Sequence, residues 1–94
     1  MENKHINHRE QIAEMLESED LEKVLFCDGF DEAIIGYLEE EKKVVYSKSK
    51  MIMVLLEEDM VLEEALEFLE FNTWNTFVGD HTPLYINDFW IYEI

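Results

Sequence analysis

One stretch of the chain carries the clearest pattern of apolar and polar positions. Within residues 62–71 the apolar side chains follow the i, i+3, i+4, i+7 spacing of an amphipathic helix: Leu62, Ala65, Leu66 and Leu69. Glutamates fill most of the positions between them. We expect this helix to end within residues 72–79, and Pro83 prevents its continuation because proline lacks a backbone N–H.

Two shorter stretches also predict helices. Residues 8–18 place three apolar side chains at helical spacing, with acids between them: Ile12, Met15 and Leu16. This helix is expected to end near residues 18–20. Residues 51–57 predict a further helix, and Ser47 or Ser49 would accept a hydrogen bond from its first free amide groups.

Two runs of β-branched and aromatic residues predict a hairpin. Residues 33–38 and 43–46 would form its strands, joined by a charged tip. Residues 84–86 predict another strand. The apolar run at residues 23–27 fits either a buried strand or the approach to a turn, because the turn signal Asp28-Gly29 follows it. The segment after that turn likewise fits a strand, or a helical turn followed by a strand.

Short strands mixed with helices, without repeated βαβ units, predict an α+β fold. We expect one small domain over residues 1–94, in which a short β-hairpin or antiparallel sheet packs with about three helices. Residues 1–7 are polar and are expected to fray. Residues 88–94 form an aromatic-rich tail that could add a strand.

Composition narrows the functional classes. An apolar fraction of 48% and an aromatic fraction of 13% are typical of a folding chain. The net charge of −16 argues against direct binding of nucleic acid or of an anionic membrane, since both need cationic groups. No apolar run is long enough to span a bilayer, and no secretory signal opens the chain, so we expect a cytoplasmic protein.

The charge is unevenly distributed. Residues 1–50 carry 13 acids and all 7 bases, whereas residues 51–94 carry 10 acids and no lysine or arginine. Repulsion on this scale opposes folding and is relieved by salt or by a cationic partner. An acidic surface also keeps a small protein in solution, so solubility alone is a competing explanation.

Two acidic turns are candidate metal sites. Asp28, Asp31 and Glu32 lie within five residues, and Asp80 precedes His81. Carboxylate oxygens and imidazole nitrogens are common metal ligands. The alternative is that these side chains cap backbone amides in tight turns. If Asp28, Asp31, Asp80 and His81 converged in space, they would form a divalent-metal site.

Catalytic chemistry has little support in the sequence. Cys27 lies in an apolar run without a nearby positive charge, so we expect a buried and inert thiol. Motifs for a nucleophile elbow, a phosphate-binding loop or a zinc protease are absent from the sequence. We therefore expect no enzymatic activity and no cofactor.

The acidic face of the helix predicted at residues 62–71 is the candidate binding surface. Its side chains lie on one side of the helix, like a row of phosphates: Glu63, Glu64, Glu67 and Glu70. A solvated helix face is the alternative. Phe68, Phe71 and Trp74 are spaced by three and are expected to widen the apolar side of the helix. Trp74 and Trp90 are candidate apolar anchors for a partner.

Several blocks of residues resemble small uncharacterised bacteriophage proteins. They run in order through residues 24–86: DGFDEAIIG, VYS, EEALEF, EFN, VG and TP. The family has no established activity, so the resemblance implies an origin more than a mechanism.

Together these features favour an accessory protein, encoded by a bacteriophage, that works in the host cytoplasm. Its acidic surface would bind and inhibit a host protein with a basic surface, such as a nucleic-acid-binding defence or replication enzyme. Two alternatives stay open. One is the divalent-metal protein described above, and the other is a homo-oligomer assembled through the C-terminal aromatic residues.

Overall fold

A mixed three-stranded sheet and four α-helices make up the part of the chain that the computed structural model describes, residues 7–88. The elements are α1 (His8–Met15), α2 (Ser18–Leu21), β1 (Ile34–Leu38), β2 (Lys43–Ser47), α3 (Lys48–Glu57), α4 (Leu62–Leu69) and β3 (Leu84–Ile86). A 3₁₀ turn, Asp31–Ala33, precedes β1, and a π-helical turn, Glu70–Trp74, follows α4. The predicted α+β class is confirmed.

The predicted hairpin is formed by β1 and β2, which pair antiparallel from Ile34 opposite Tyr46 to Leu38 opposite Lys43. The register shifts between Ile34 and Gly36, which places a bulge at Ile35. At the hairpin tip, Lys42 has a positive φ of 56°. Its ammonium lies 3.9 Å from the Asp20 carboxylate at the end of α2.

The third strand corrects the expectation of a purely antiparallel sheet. β3 pairs parallel to β2, with Tyr85 opposite Tyr46, and β2 is therefore the central strand. A parallel neighbour requires a crossover. The chain supplies it through α3, α4 and the π-helical turn, and then returns in the direction of β2.

The N-terminal segment differs from its prediction in detail. Asn7 caps α1 by accepting a hydrogen bond from the Glu10 amide at 3.2 Å. The helix ends at Met15, earlier than predicted, because Leu16 adopts an extended conformation and packs against the core. Met15 is consequently exposed, and Ile12 is the buried residue of α1.

The two segments that flank the Asp28-Gly29 turn each had two predicted structures. The first segment is the approach to a turn, and the second is a helical turn followed by a strand. Residues 24–27 approach the turn without joining the sheet, and a helical turn precedes β1. Gly29 has a φ of +90°, a conformation that side chains with a Cβ rarely adopt. The Phe30 amide closes the turn by donating to the Cys27 carbonyl at 3.2 Å.

The core lies between the sheet, α1, α3 and α4, and Tyr46 is one of its largest fully buried side chains. The Tyr46 hydroxyl accepts a hydrogen bond from the Cys27 amide at 2.7 Å. Its ring lies 5.6 Å from the ring of Tyr85, measured between centroids. The remaining buried apolar residues are Ile12, Val24, Phe30, Ala33, Ile34, Val44, Met51, Ile52, Leu55, Ala65 and Leu69.

A small polar cluster joins the start of α3 to the chain after β3. Ser47, one of the two serines predicted as candidates, is the N-cap of α3, and its hydroxyl oxygen accepts from the Lys50 amide at 3.1 Å. The hydroxyls of Ser47 and Ser49 both donate to the Asp88 carboxylate, the latter at 2.7 Å. Burial acts to raise the pKa of the Asp88 carboxyl, but these hydrogen bonds outweigh it and lower that pKa below its usual value.

No helix within residues 7–88 is long and apolar enough to cross a membrane. The predictions for the first six residues of the polar leader and for the aromatic residues 89–94, Trp90 among them, lie outside the described residues.

The Ser47 cap gives a first prediction. Ser47→Ala removes the acceptor of the Lys50 amide and one donor to Asp88, so it should lower the free energy of unfolding by about 1–3 kcal/mol. Urea denaturation followed by circular dichroism measures this change. Ser18→Ala, at an exposed serine of α2, is the matched control and should change the value by less than about 0.5 kcal/mol. Equal effects of the two substitutions would contradict the cap assignment.

The buried phenol of Tyr46 gives a second prediction. Burial raises the pKa of Tyr46 from 10.0 to about 12. The folded state therefore favours the neutral phenol, and the stability that this preference contributes is complete below pH 10 and is lost as the pH rises toward 12. The free energy of unfolding, measured by urea titration at several alkaline pH values, should fall more steeply in the wild type than in Tyr46→Phe. Parallel pH profiles would refute this account.

Candidate functional site

The acidic face of α4 is the strongest candidate site in the described part of the chain. Val61 precedes the helix in an extended conformation, and its amide donates to Glu64 Oε1 at 3.3 Å. The helix buries Ala65 and Leu69 and packs against α3. Leu62 is exposed in the first turn, so the buried stripe is shorter than the sequence predicts. The predicted acidic row is exposed to solvent in full: Glu63, Glu64, Glu67 and Glu70.

The π-helical turn after α4 decides which aromatic side chain reaches the core. Ala65 and Leu69 are four residues apart, and a regular α-helix would next turn Asn72 or Thr73 inward. The wider turn places Trp74 there instead, five residues after Leu69. The indole ring of Trp74 thus follows Leu69 at the core. An α-helical register would have placed the polar side chain of Asn72 or Thr73 there.

Trp74 is half-buried and held by contacts with α3. Its indole Nε1–H donates to the Met51 sulfur at 3.5 Å, and Lys48 Nζ lies 4.7 Å from the ring centroid. Two asparagine amides satisfy backbone carbonyls at the turn. Asn72 Nδ2 donates to the Phe68 carbonyl at 3.0 Å, and Asn75 Nδ2 donates to the Glu70 carbonyl at 3.2 Å.

Two phenylalanines near the end of α4 lie at the surface. Phe71 is 80% exposed and Phe68 is 41% exposed, which corrects the expectation that they widen the buried side of the helix. They line a shallow groove of about 620 Å³ together with Met60, Glu64, Glu67 and Asn72. The sequence held one signal for this placement, because Phe71 directly follows Glu70 and falls outside the stripe that ends at Leu69.

No ion pair of the described residues includes a glutamate of the acidic face, although Lys48 lines a pocket together with Glu70. Among residues 7–88, the ion pairs join Arg9 to Asp28 and Asp31, and Lys42 to Asp20. None of these pairs includes a glutamate of α4. Beyond Lys50 the sequence contains no lysine or arginine that could neutralise the face from its own half of the chain.

The four candidate metal ligands do not converge. Asp28 and Asp31 precede β1 and lie beside Arg9. The Arg9 Nη1 atom is 3.4 Å from Asp28 Oδ1 and 3.3 Å from Asp31 Oδ1. His81 Nδ1 lies 3.0 Å from the carbonyl oxygen of Glu41, at the hairpin tip beyond the other end of β1. Asp80 is exposed.

Side chains elsewhere give the metal hypothesis no better support. Within residues 7–88 no group of three or more histidine, cysteine, aspartate or glutamate side chains is placed to hold a metal ion. The Asp28-Asp31 pair instead binds the guanidinium of Arg9, which also stacks 4.4 Å from the ring centroid of Phe26. The geometry favours a structural role for this turn.

Cys27 is less buried than the sequence predicts. Its side chain is partly buried, and burial raises the pKa of the thiol, an effect that a hydrogen bond with Tyr85 only partly offsets. Burial likewise raises the pKa of Tyr85. A thiol with a raised pKa carries little thiolate at neutral pH and is a poor nucleophile.

Comparisons with known proteins found no match to this chain among protein-family models, curated proteins or solved structures. The resemblance to bacteriophage proteins therefore stays a prediction from the residue pattern, and function has to be inferred from the geometry of the site.

The register of the π-helical turn gives a third prediction. Trp74→Ala should lower the free energy of unfolding by about 2–3 kcal/mol, because it removes a large side chain that packs on the core. Phe71→Ala should change it by less than about 0.5 kcal/mol, since that ring is exposed. Chemical denaturation of both variants measures the difference. A larger loss for Phe71→Ala would contradict the placement of Trp74 on the core and of Phe71 in solvent.

Proposed function

We propose that this chain is a protein-binding accessory protein that covers a basic surface of its partner and so blocks it. The observation that carries the proposal is the face of α4, where four glutamates are exposed together without a basic side chain among them: Glu63, Glu64, Glu67 and Glu70. They begin four residues after a further acidic run, Glu57 to Asp59, which is exposed as well.

The spacing of these carboxylates suits a basic partner. Glu63 and Glu67 are four residues apart and Glu67 and Glu70 three, so successive carboxylates lie about one helical turn apart. Like charges at these spacings destabilise a helix slightly. A lysine- or arginine-rich surface would relieve that repulsion on binding, and the long-range attraction would speed the encounter.

The partner class follows from the same charge. Proteins that bind DNA or RNA present lysine and arginine to a track of phosphates. A row of carboxylates on a rigid helix can occupy such a surface and exclude the nucleic acid. The resemblance to bacteriophage proteins supplies the expected setting, a defence or replication enzyme in the host cytoplasm.

Removal of the charges on α4 tests the proposal. The variant Glu63/Glu64/Glu67/Glu70→Gln keeps the shape of the face, and the side-chain carbonyl of a glutamine in place of Glu64 can still accept the hydrogen bond from the Val61 amide. A captured partner should be lost from this variant. With the wild type, the partner should dissociate as salt rises, because screening weakens exposed charge contacts. Affinity capture from bacterial lysate, followed by a DNA competition assay with the purified partner, measures both effects.

A matched control separates the position of the charges from their number. Glu14/Glu17/Glu19/Glu22→Gln removes the same four charges from exposed positions around α1 and α2. This variant should retain the partner. Equal loss in both variants would mean that only net charge matters, and retention in both would move the interface away from α4. A partner that still binds DNA while it is held by the wild type would contradict inhibition by mimicry.

A further inference from the structure

We propose that the groove beside α4 receives an arginine side chain of the partner, together with an apolar neighbour of that arginine. This inference rests on the proposed function and goes beyond it, because charge alone would accept lysine and arginine equally. The groove is lined by both classes of group that an arginine needs: Met60, Phe68 and Phe71 on its apolar part, and Glu64, Glu67 and Asn72 on its polar part.

The aromatic rings supply a stacking surface. Phe71 is 80% exposed and Phe68 lies three residues before it, so both rings border the same groove. Two exposed phenylalanines beside a methionine do not contribute to solubility, so solubility alone does not explain this surface. Exposed apolar side chains gathered at one place are typical of an interaction surface. A planar guanidinium can stack on such rings, and the alkyl stem of arginine can cover the apolar part of the groove.

The carboxylates supply the charge complement. Glu64 and Glu67 are three residues apart on α4 and line the same groove as the rings. One oxygen of Glu64 accepts from the Val61 amide, which orients the side chain and leaves its second oxygen for a partner. Among the described residues, neither carboxylate is paired with a basic side chain. A cation that entered the groove would meet unneutralised charge beside an apolar surface.

Arginine fits this combination better than lysine does. Its guanidinium is planar, is more weakly hydrated than an ammonium, stacks on aromatic faces and offers several donors in one plane to carboxylates. Lysine would gain the charge contact but less from the rings. The occupant that this chemistry selects is therefore an arginine-bearing segment with an apolar residue next to the arginine.

Two synthetic peptides test the inference. One is a short fluorescein-labelled peptide that carries arginine and leucine among alanines, and the other has every arginine replaced by lysine. The wild type should bind the arginine peptide more tightly, by about fivefold in Kd as measured by fluorescence anisotropy. Phe71→Ala should abolish most of this preference, whereas Glu64/Glu67→Gln should weaken both peptides.

Phe77→Ala is the matched control, because Phe77 is 78% exposed and does not line the groove. It should leave the preference unchanged. Equal binding of the two peptides by the wild type, an undiminished preference in Phe71→Ala, or no binding of either peptide would overturn the inference. If the peptides bind equally and only the glutamine variant weakens them, the acidic site of the proposed function stands and the arginine pocket falls. If neither Phe71→Ala nor Glu64/Glu67→Gln changes binding, the peptides bind away from α4. That result would contradict both the arginine pocket and the acidic binding face.

Discussion

The contacts of Tyr46 join the segment before the hairpin to the central and third strands of the sheet. Its side chain is fully buried in the central strand, its hydroxyl binds the Cys27 amide, and its ring packs on Tyr85 of the parallel neighbour. One residue therefore links the irregular segment before the hairpin, β2 and β3. A phenol is suited to this position because it is large enough to fill a small core and still satisfies a backbone N–H that the sheet does not pair.

The π-helical turn after α4 brings Trp74 to the core. The core needs a large apolar side chain after Leu69, and Trp74 fills that need only because the turn is wider than an α-helical one. Phe71 stays in solvent, next to the glutamates. The candidate site therefore combines acidic and aromatic side chains, whereas Trp74 belongs to the core.

The distribution of charge gives these surfaces different roles. In the turn before β1 the two aspartates have a partner, since Arg9 binds Asp28 and Asp31. On α4 the described acids have none, so repulsion there persists in the folded chain and is available to be relieved by a cationic surface. This contrast favours a structural role for the acidic turn and supports the proposed binding role of the acidic helix face. The groove of Phe68 and Phe71 adds the apolar contact that charge pairs at a protein surface lack.

The sequence by itself determined the α+β class, the hairpin, a serine cap at Ser47 or Ser49 and the acidic face of α4, because periodicity and capping are local properties. Only the tertiary structure decided that β3 pairs parallel to β2, that Asp28 and Asp31 are far along the hairpin from His81, and that Asp88 binds the start of α3. It also decided that Trp74, and not Asn72 or Thr73, follows Leu69 at the core. The wider turn that brings Trp74 there depends on the space that α3 and Met51 leave beside Leu69. Contacts between residues distant in sequence fix that space, so no local pattern records it.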